Sequence, residues 1–304
     1  MKVIFFGLGS IGQRYRRLMT DNFDLDIFAL RTSKFVWWRE NIGFGNEYYE
    51  YPGLLPASKN LFVWDQVDRI KPDVAIITNP THLHIDTALK CAERGMHLFI
   101  TKPLDCRLDD SLTQLTNLIE TKNLTSYLAY PLRHLPIVQE LKEKKYYNST
   151  WQFTCLTDLA KWRTYKTYSA EYAKGGGVLL ELSHELDLAV YLLGDVLKIS
   201  GFTFNLGNST DAEDIAHVTL HHKSKNVSYH NLSLICDTEK RYFEFDNVKY
   251  DVTVDDSVFL TELRYFFDHI GKPIMNNITD ASKLFEPLME FRDATTDNDM
   301  RAEG

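Results

Sequence analysis

The chain has 304 residues, of which 44% are hydrophobic and 25% charged, with a formal net charge of −8. That balance is globular rather than disordered, and the length suits two domains. The acidic excess argues against a nucleic-acid or anionic-membrane partner, which calls for a basic face. No apolar run reaches the roughly 18–20 residues of a membrane span. The opening MKVIFFGLGS is broken by glycine too soon for a signal peptide. Cys91, Cys106, Cys155 and Cys236 show no CxxC spacing and read as free thiols of a cytoplasmic protein.

Residues 2–6, KVIFF, form a first strand, 11–20 a helix, and 25–30, LDIFAL, a second strand. A short helix follows at 64–70, then the β-branched strand 73–78. Residues 82–95 are helical and close on Gly95, a residue suited to a helix end. A strand at 96–101, a helix at 109–121 and a strand at 124–130 complete the first half. Fully apolar strands separated by helices imply a parallel sheet covered on both faces.

The second half changes pattern. A helix at about 134–143 and a strand at 151–157 lead to three glycines and a helix over 175–193. Between 198 and 254 come HVTLHH, VSYHNLSLIC and RYFEFD, which alternate polar and apolar residues as antiparallel strands with one open face do. Helices near 257–270 and 280–293 close the chain. The expected fold class is α/β: a doubly wound parallel sheet over 1–128, then an α+β unit over 129–304 with an open, largely antiparallel sheet.

GLGSIG, residues 7–12, is a G-x-G-x-x-G between the first strand and the first helix. In that context Gly7 allows the tight turn, Gly9 lets backbone approach a pyrophosphate, and Gly12 lets helix and strand pack. Ser10 and Ile11 then sit at the helix N-terminus, where unpaired N–H groups favour an anion. The plainer alternative is a glycine turn with no ligand. The second strand should end in an acid if the cofactor is NAD, but it runs LDIFALRTSK, with Asp26 at its start. Arg31, Thr32 and Ser33 at its far end suit the 2′-phosphate of NADP(H), which is favoured over NAD(H).

The next strand ends in ITNPTHLH, where Thr78, Asn79 and Pro80 stop it and His84 opens a helix. The strand 96–101 ends in Thr101-Lys102-Pro103. In a doubly wound sheet, ligands lie beyond the carboxyl ends of the strands. These ends and the glycine turn therefore converge on one crevice, which favours a functional Lys102 over a solvated loop lysine. In GGGVLLELSHELD, residues 175–187, Glu181, His184, Glu185 and Asp187 fall within two turns of an otherwise apolar helix. They form either a site of paired buried groups or a salt-bridged stripe.

Other residues carry less. In AYPLRH, Tyr130 and Arg133 sit at the expected domain junction; Arg133 either meets a substrate carboxylate or phosphate, or braces the hinge. Arg163, Tyr165 and Tyr168 precede the glycines on a stretch able to cover a polar sugar. His217, Thr219 and His221 share one strand face and read as a solvent-facing row rather than a metal site. No HExxH, zinc-type Cys/His pair or GxSxG occurs, so no metal is expected.

GLGSIG, TNPTHLH, TKPLD and GGGVLLELSHELD followed by YLLG, taken in this order, resemble the glucose–fructose oxidoreductase / inositol dehydrogenase / MocA family. The resemblance implies an N-terminal Rossmann domain, a C-terminal domain whose open sheet binds substrate and pairs subunits into a homodimer or homotetramer, and hydride transfer between nicotinamide and a sugar-like hydroxyl or ketone. Lys102 matches the lysine of the family's Glu-Lys-Pro, His184 its histidine, and Asp187 the acid three residues on. Thr101 stands where the family usually has Glu, and Glu181 precedes the histidine by three residues where many members have Asp at four. On this likeness His184 is the acid/base, Asp187 orients it, and Lys102 holds the substrate oxygen. His84 and Asn79 help place the nicotinamide, and Glu181, Tyr130, Arg133, Arg163 and Tyr168 meet the substrate. The form of the glycine motif also resembles members that act in surface-polysaccharide, nucleotide-sugar or sialic-acid pathways. A dinucleotide-sensing regulator and a reductase of a non-sugar, such as a linear tetrapyrrole or an imine, are the competing readings. Retention of Lys102 and His184 favours the enzyme.

Overall fold

The computed structural model describes residues 1–31, 55–158, 168–206 and 211–302. The first unit holds β1 (Lys2–Phe6), α1 (Ser10–Asn22), β2 (Asp26–Leu30), β3 (Asn60–Leu61), α2 (Trp64–Ile70), β4 (Val74–Ile77), α3 (His84–Glu93), β5 (His97–Thr101), α4 (Ser111–Lys122) and β6 (Ser126–Ala129). Its strands are parallel in the order β3-β2-β1-β4-β5-β6, the dinucleotide-binding arrangement.

Alternation along each strand sends side chains to two cores. Ile4, Phe6, Ala75, Ile77, Leu98 and Ile100 are buried with Ala88, Cys91 and Ala92 of α3. Val3, Phe5, Ile76 and Phe99 are buried with Tyr15, Leu18 and Met19 of α1. The expected helix at 82–95 is a 3₁₀ turn at Thr81–Leu83 running into α3.

The second unit holds α5 (Pro136–Lys142), β7 (Thr150–Asp158), α6 (Val178–Glu181), α7 (Ser183–Leu193), β8 (Val196–Phe204), β9 (Ile215–His222), β10 (Val227–Ser233), β11 (Ile235–Phe245), β12 (Val248–Asp251), α8 (Asp256–Asp268) and α9 (Ile278–Ala302). Its sheet order is β12-β11-β7-β10-β9-β8; β10 and β7 run parallel and the other pairs antiparallel. Trp151, Phe153, Leu220, Leu232 and Phe243 line the buried face, while Phe202, His217 and Tyr229 are exposed on the other.

Two departures from expectation bear on the site. The helix expected over 175–193 breaks at Leu182, whose φ of −103° and ψ of 25° separate α6 from α7. In addition, α8 leaves the second half of the chain to cover the first sheet: Phe259, Leu263 and Phe266 are buried with Val3, Phe5 and Phe99. The first unit therefore borrows a helix from beyond residue 128. Within that packing Glu262, fully buried, accepts hydrogen bonds from the Tyr15 hydroxyl at 2.6 Å and the Tyr127 hydroxyl at 3.2 Å.

Candidate active site

A cavity of about 610 Å³ opens where the carboxyl ends of β4 and β5 face α6, α7 and β11. Ile11, Thr78, Asn79, His84, Lys102, Tyr168, Glu181 and His184 all line it. Five stretches far apart in the sequence thus contribute to one space, as expected of a doubly wound sheet.

The glycine turn is built by close approach. Gly7 has φ +97°, and a Cβ there would lie 2.5 Å from the Asn79 nitrogen. A Cβ on Gly12 would lie 2.5 Å from the Gly7 carbonyl oxygen and 2.7 Å from Thr78 Oγ1. Thr78 Oγ1 itself donates to the Gly7 carbonyl at 2.6 Å, locking the ends of β1 and β4 together. Gly9 differs: a Cβ there would meet nothing within 4 Å. Gly9 N-caps α1 without any side-chain cap, so the first-turn N–H groups are left for a ligand. A second opening is the Asn79 Oδ1 atom, buried at the cavity wall with no hydrogen-bond partner among the described residues, while Nδ2 donates to Thr87 Oγ1 at 2.9 Å. Both features fit a dinucleotide, whose pyrophosphate needs the bare backbone and whose carboxamide offers a donor. Arg31 stands just past the end of β2 and donates to Asn60 Oδ1 at 3.3 Å. Thr32, Ser33 and Arg163 lie outside the described residues.

His84 spans two loops. Its Nδ1 lies 2.8 Å from the Pro103 carbonyl oxygen and its Nε2 2.8 Å from that of Asn79. Both ring nitrogens face backbone carbonyls, and a neutral ring donates to one of them, so the ring bridges the end of β4 and the Lys102–Pro103 turn. Burial pushes its pKa down despite these acceptors. Thr101 makes a parallel link, donating from Oγ1 to the Ile77 carbonyl at 3.1 Å.

The break at Leu182 explains where Glu181 points. As the last residue of α6 it has an unclaimed carbonyl, and Lys102 Nζ donates to it. The same ammonium lies 3.5 Å from Glu181 Oε2. Glu181 is thus turned to Lys102 rather than stacked beside His184, as one continuous helix would have it. The His184 ring meets Tyr130 edge-on, with centroids 5.5 Å apart, and its Nδ1 is buried without a hydrogen-bond partner among the described residues. Burial, reinforced by the like charges of Lys102 and Arg241, holds the imidazole well below its ordinary pKa. His184 is therefore neutral at physiological pH.

Asp187 does not orient His184. Its two oxygens take a two-pronged bond from Arg133, Nε to Oδ2 at 2.8 Å and Nη2 to Oδ1 at 2.6 Å, and both residues are buried. A fixed guanidinium fork outcompetes a single bond to imidazole three residues away. The same pair removes Arg133 from the substrate and makes it a brace between the 3₁₀ turn Pro131–His134 and α7. Tyr130 is also buried; its hydroxyl donates to Ser183 Oγ at 3.2 Å behind the His184 ring, away from the cavity lining. Pro80 lies outside that lining too. Sequence reasoning missed Arg241, Tyr15 and Phe259, which line the cavity from β11, α1 and α8.

Residues 1–130 match the profile of an oxidoreductase family with an NAD-binding Rossmann fold, and residues 147–256 match the GFO/IDH/MocA C-terminal domain. Among characterised proteins, scyllo-inositol 2-dehydrogenase (NAD(+)) of Bacillus subtilis is 29% identical over 146 residues, 45% of this chain and 40% of that protein. Levoglucosan dehydrogenase of Pseudarthrobacter phenanthrenivorans is 28% identical over 42% of this chain and 35% of that protein. The chain therefore aligns with well under half the length of these two relatives. A crystal structure of the WlbA dehydrogenase from Chromobacterium violaceum with NADH and UDP-GlcNAcA superposes with a TM-score of 0.75 at 15% identity, covering 98% of this chain and 94% of that one. The fold is the same in the two proteins.

Proposed function

The chain belongs to the Gfo/Idh/MocA oxidoreductase family, and from that premise we propose that it moves hydride between a nicotinamide dinucleotide and a hydroxyl or ketone of a sugar-like substrate. The observation that carries this reading is the convergence of Lys102 and a neutral His184 on one cavity that also holds Asn79 and the bare N-terminus of α1.

The bound nicotinamide supplies the hydride acceptor for alcohol oxidation or the donor for the reverse. Everything else falls to the chain. The open first turn of α1 and Gly9 would hold the pyrophosphate, and Asn79 Oδ1 would offer an acceptor to the carboxamide. As the substrate C–H bond breaks, His184 takes the hydroxyl proton, a contribution of about 10²–10⁴ in rate. Lys102 donates to the same oxygen and stabilises the negative charge that builds there. Glu181 keeps the ammonium aimed by offering it a carbonyl and a carboxylate. Asp187 acts at one remove, through Arg133, to fix the start of α7 under His184.

NADP(H) is the proposed cofactor in preference to NAD(H). Asp26, the acid of β2, stands at the strand's start and pairs with Lys59, whereas Arg31 follows its carboxyl end, the end at which a doubly wound sheet would receive the ribose. The substrate is a sugar, nucleotide sugar or sugar acid, with a role in surface-polysaccharide synthesis. Phe202, Phe204 and Tyr229 on the open face of the second sheet support a homodimer or homotetramer.

The test follows nicotinamide absorbance with each dinucleotide and a panel of sugars, sugar acids and nucleotide sugars with their keto forms. Turnover of one class, faster with NADP(H), is the expected result. Dinucleotide binding without turnover on any class would favour a sensor instead.

A further inference from the structure

Strand β11 reads Arg241-Tyr242-Phe243-Glu244-Phe245. Phe243 is fully buried, and Phe245 stacks on Trp151 with centroids 4.3 Å apart. The two-residue period places Arg241 on that same inward face, where an apolar residue is the rule. Across the sheet it pairs with Cys155, also buried. A cation on the core side of a strand requires a partner, and Arg241 has half of one. Its Nε donates to Glu185 Oε1 at 2.6 Å, and Glu185 is 3% exposed. Glu185 Oε2 is left without a hydrogen bond to any described residue. The terminal nitrogens Nη1 and Nη2 make no hydrogen bond to any described residue, and the side chain, 28% exposed, lines the cavity that holds Lys102 and His184.

A guanidinium serving only as counter-ion to Glu185 would turn its Nε–Nη2 edge to both carboxylate oxygens. Here one bond fixes the plane and the two-donor end stays open. We propose that this end of Arg241 binds the carboxylate of an acidic sugar substrate, with two parallel N–H···O bonds, while the oxidisable hydroxyl lies at Lys102 and His184. The assignment rests on reading the cavity as the oxidoreductase site. A phosphate presents the same acceptors, and the other charges lining the cavity, Lys102 and Lys240 against Glu181 and Glu239, balance in sign, so the hexose 6-phosphates are the arm of the test that separates the two.

The test is calorimetric titration of the dinucleotide-loaded protein with glucuronate and galacturonate, the parent hexoses, and the hexose 6-phosphates. Hexuronates are expected to bind at least ten-fold tighter than either comparison. The Glu185→Gln/Arg241→Gln double variant removes both charges together, so no lone charge is buried. It should bind dinucleotide as before and lose the ten-fold preference; Arg241→Lys, which keeps the charge without the fork, should lose most of it. Equal binding of acids and hexoses, tighter binding of phosphates, no binding of any hexuronate, or a preference surviving in the double variant each overturns the proposal. A hexuronate that binds through Arg241 without nicotinamide reduction or oxidation would leave this assignment intact and count against hydride transfer.

Discussion

Lys102 meets Glu181 twice, donating to its backbone carbonyl and standing 3.5 Å from its carboxylate. The two acceptors answer different substitutions. Lys102→Met should lower turnover by a factor on the order of 10²–10³ or more, the loss typical of a donor to a developing oxyanion. Dinucleotide affinity should change little. Glu181→Gln keeps the carbonyl and loses one charged contact, so roughly a ten-fold loss is expected. Steady-state kinetics beside fluorescence titration with dinucleotide checks both; near-normal turnover in Lys102→Met sinks the assignment.

Gly9 and Gly12 of the first turn should part company on substitution. Gly12→Ala drives a Cβ to 2.5 Å from the Gly7 carbonyl oxygen, so the fold itself must shift and the melting temperature fall. Gly9→Ala meets none of the described residues within 4 Å. It should melt as the parent does yet bind dinucleotide about ten-fold or more weakly, because only the ligand occupies that space. Unchanged affinity in Gly9→Ala would remove the pyrophosphate from this turn.

Much of this architecture is legible in the chain because local patterns and local structure agree. The apolar runs at 2–6, 25–30, 73–78 and 96–101 become β1, β2, β4 and β5 with ends shifted by a residue at most. Lys102 and His184 are legible because strand ends and a glycine-led helix carry them. What escaped depends on distant partners. Strand β3 is two residues long, too short for any period to register. The packing of α8 on the first sheet joins residues more than 150 positions apart. Asp187 has the spacing to reach His184, and only the buried Arg133 redirects it. Arg241 did leave a trace: it shares the inward phase of Phe243 and Phe245, and a charged residue in that phase is a site signal.

The Arg133–Asp187 pair is a stability element. Removing one partner strands a buried charge, so Arg133→Met or Asp187→Asn should each destabilise by about 3–5 kcal/mol. The double replacement should recover much of that loss. Urea midpoints of the two single variants and the double variant complete the cycle, and additive losses would contradict direct pairing.

In the proposed reaction His184 should set the pH profile of alcohol oxidation. Its neutral form is the base, and its pKa is held down by burial and by the charges of Lys102 and Arg241. The acidic limb of kcat/KM should therefore fall below the imidazole's ordinary value of about 6.5. The Glu185→Gln/Arg241→Gln double variant removes that like charge without stranding the buried Glu185 carboxylate, and should move the limb upward. A limb that stays in place would assign it to another group.

Stability should depend on pH through two buried groups of opposite sign. His230 stacks on Phe153, and burial holds its pKa down to about 3. Its unfolded value is about 6.5, so its contribution is complete above that pH and is lost as pH falls toward 3. Glu262 is pushed up by burial to about 8. Its unfolded value is about 4.3, so its contribution is complete below that pH and is lost as pH rises through 8. Between pH 7.5 and 5.5 the two therefore act against each other. His230→Gln should lessen the chain's loss of stability on acidification, by about 1 kcal/mol across that interval. Glu262→Gln should worsen it. Chemical unfolding of the parent and both variants at the two pH values reads the difference directly, and slopes that move in the same direction would refute the assignment of at least one group.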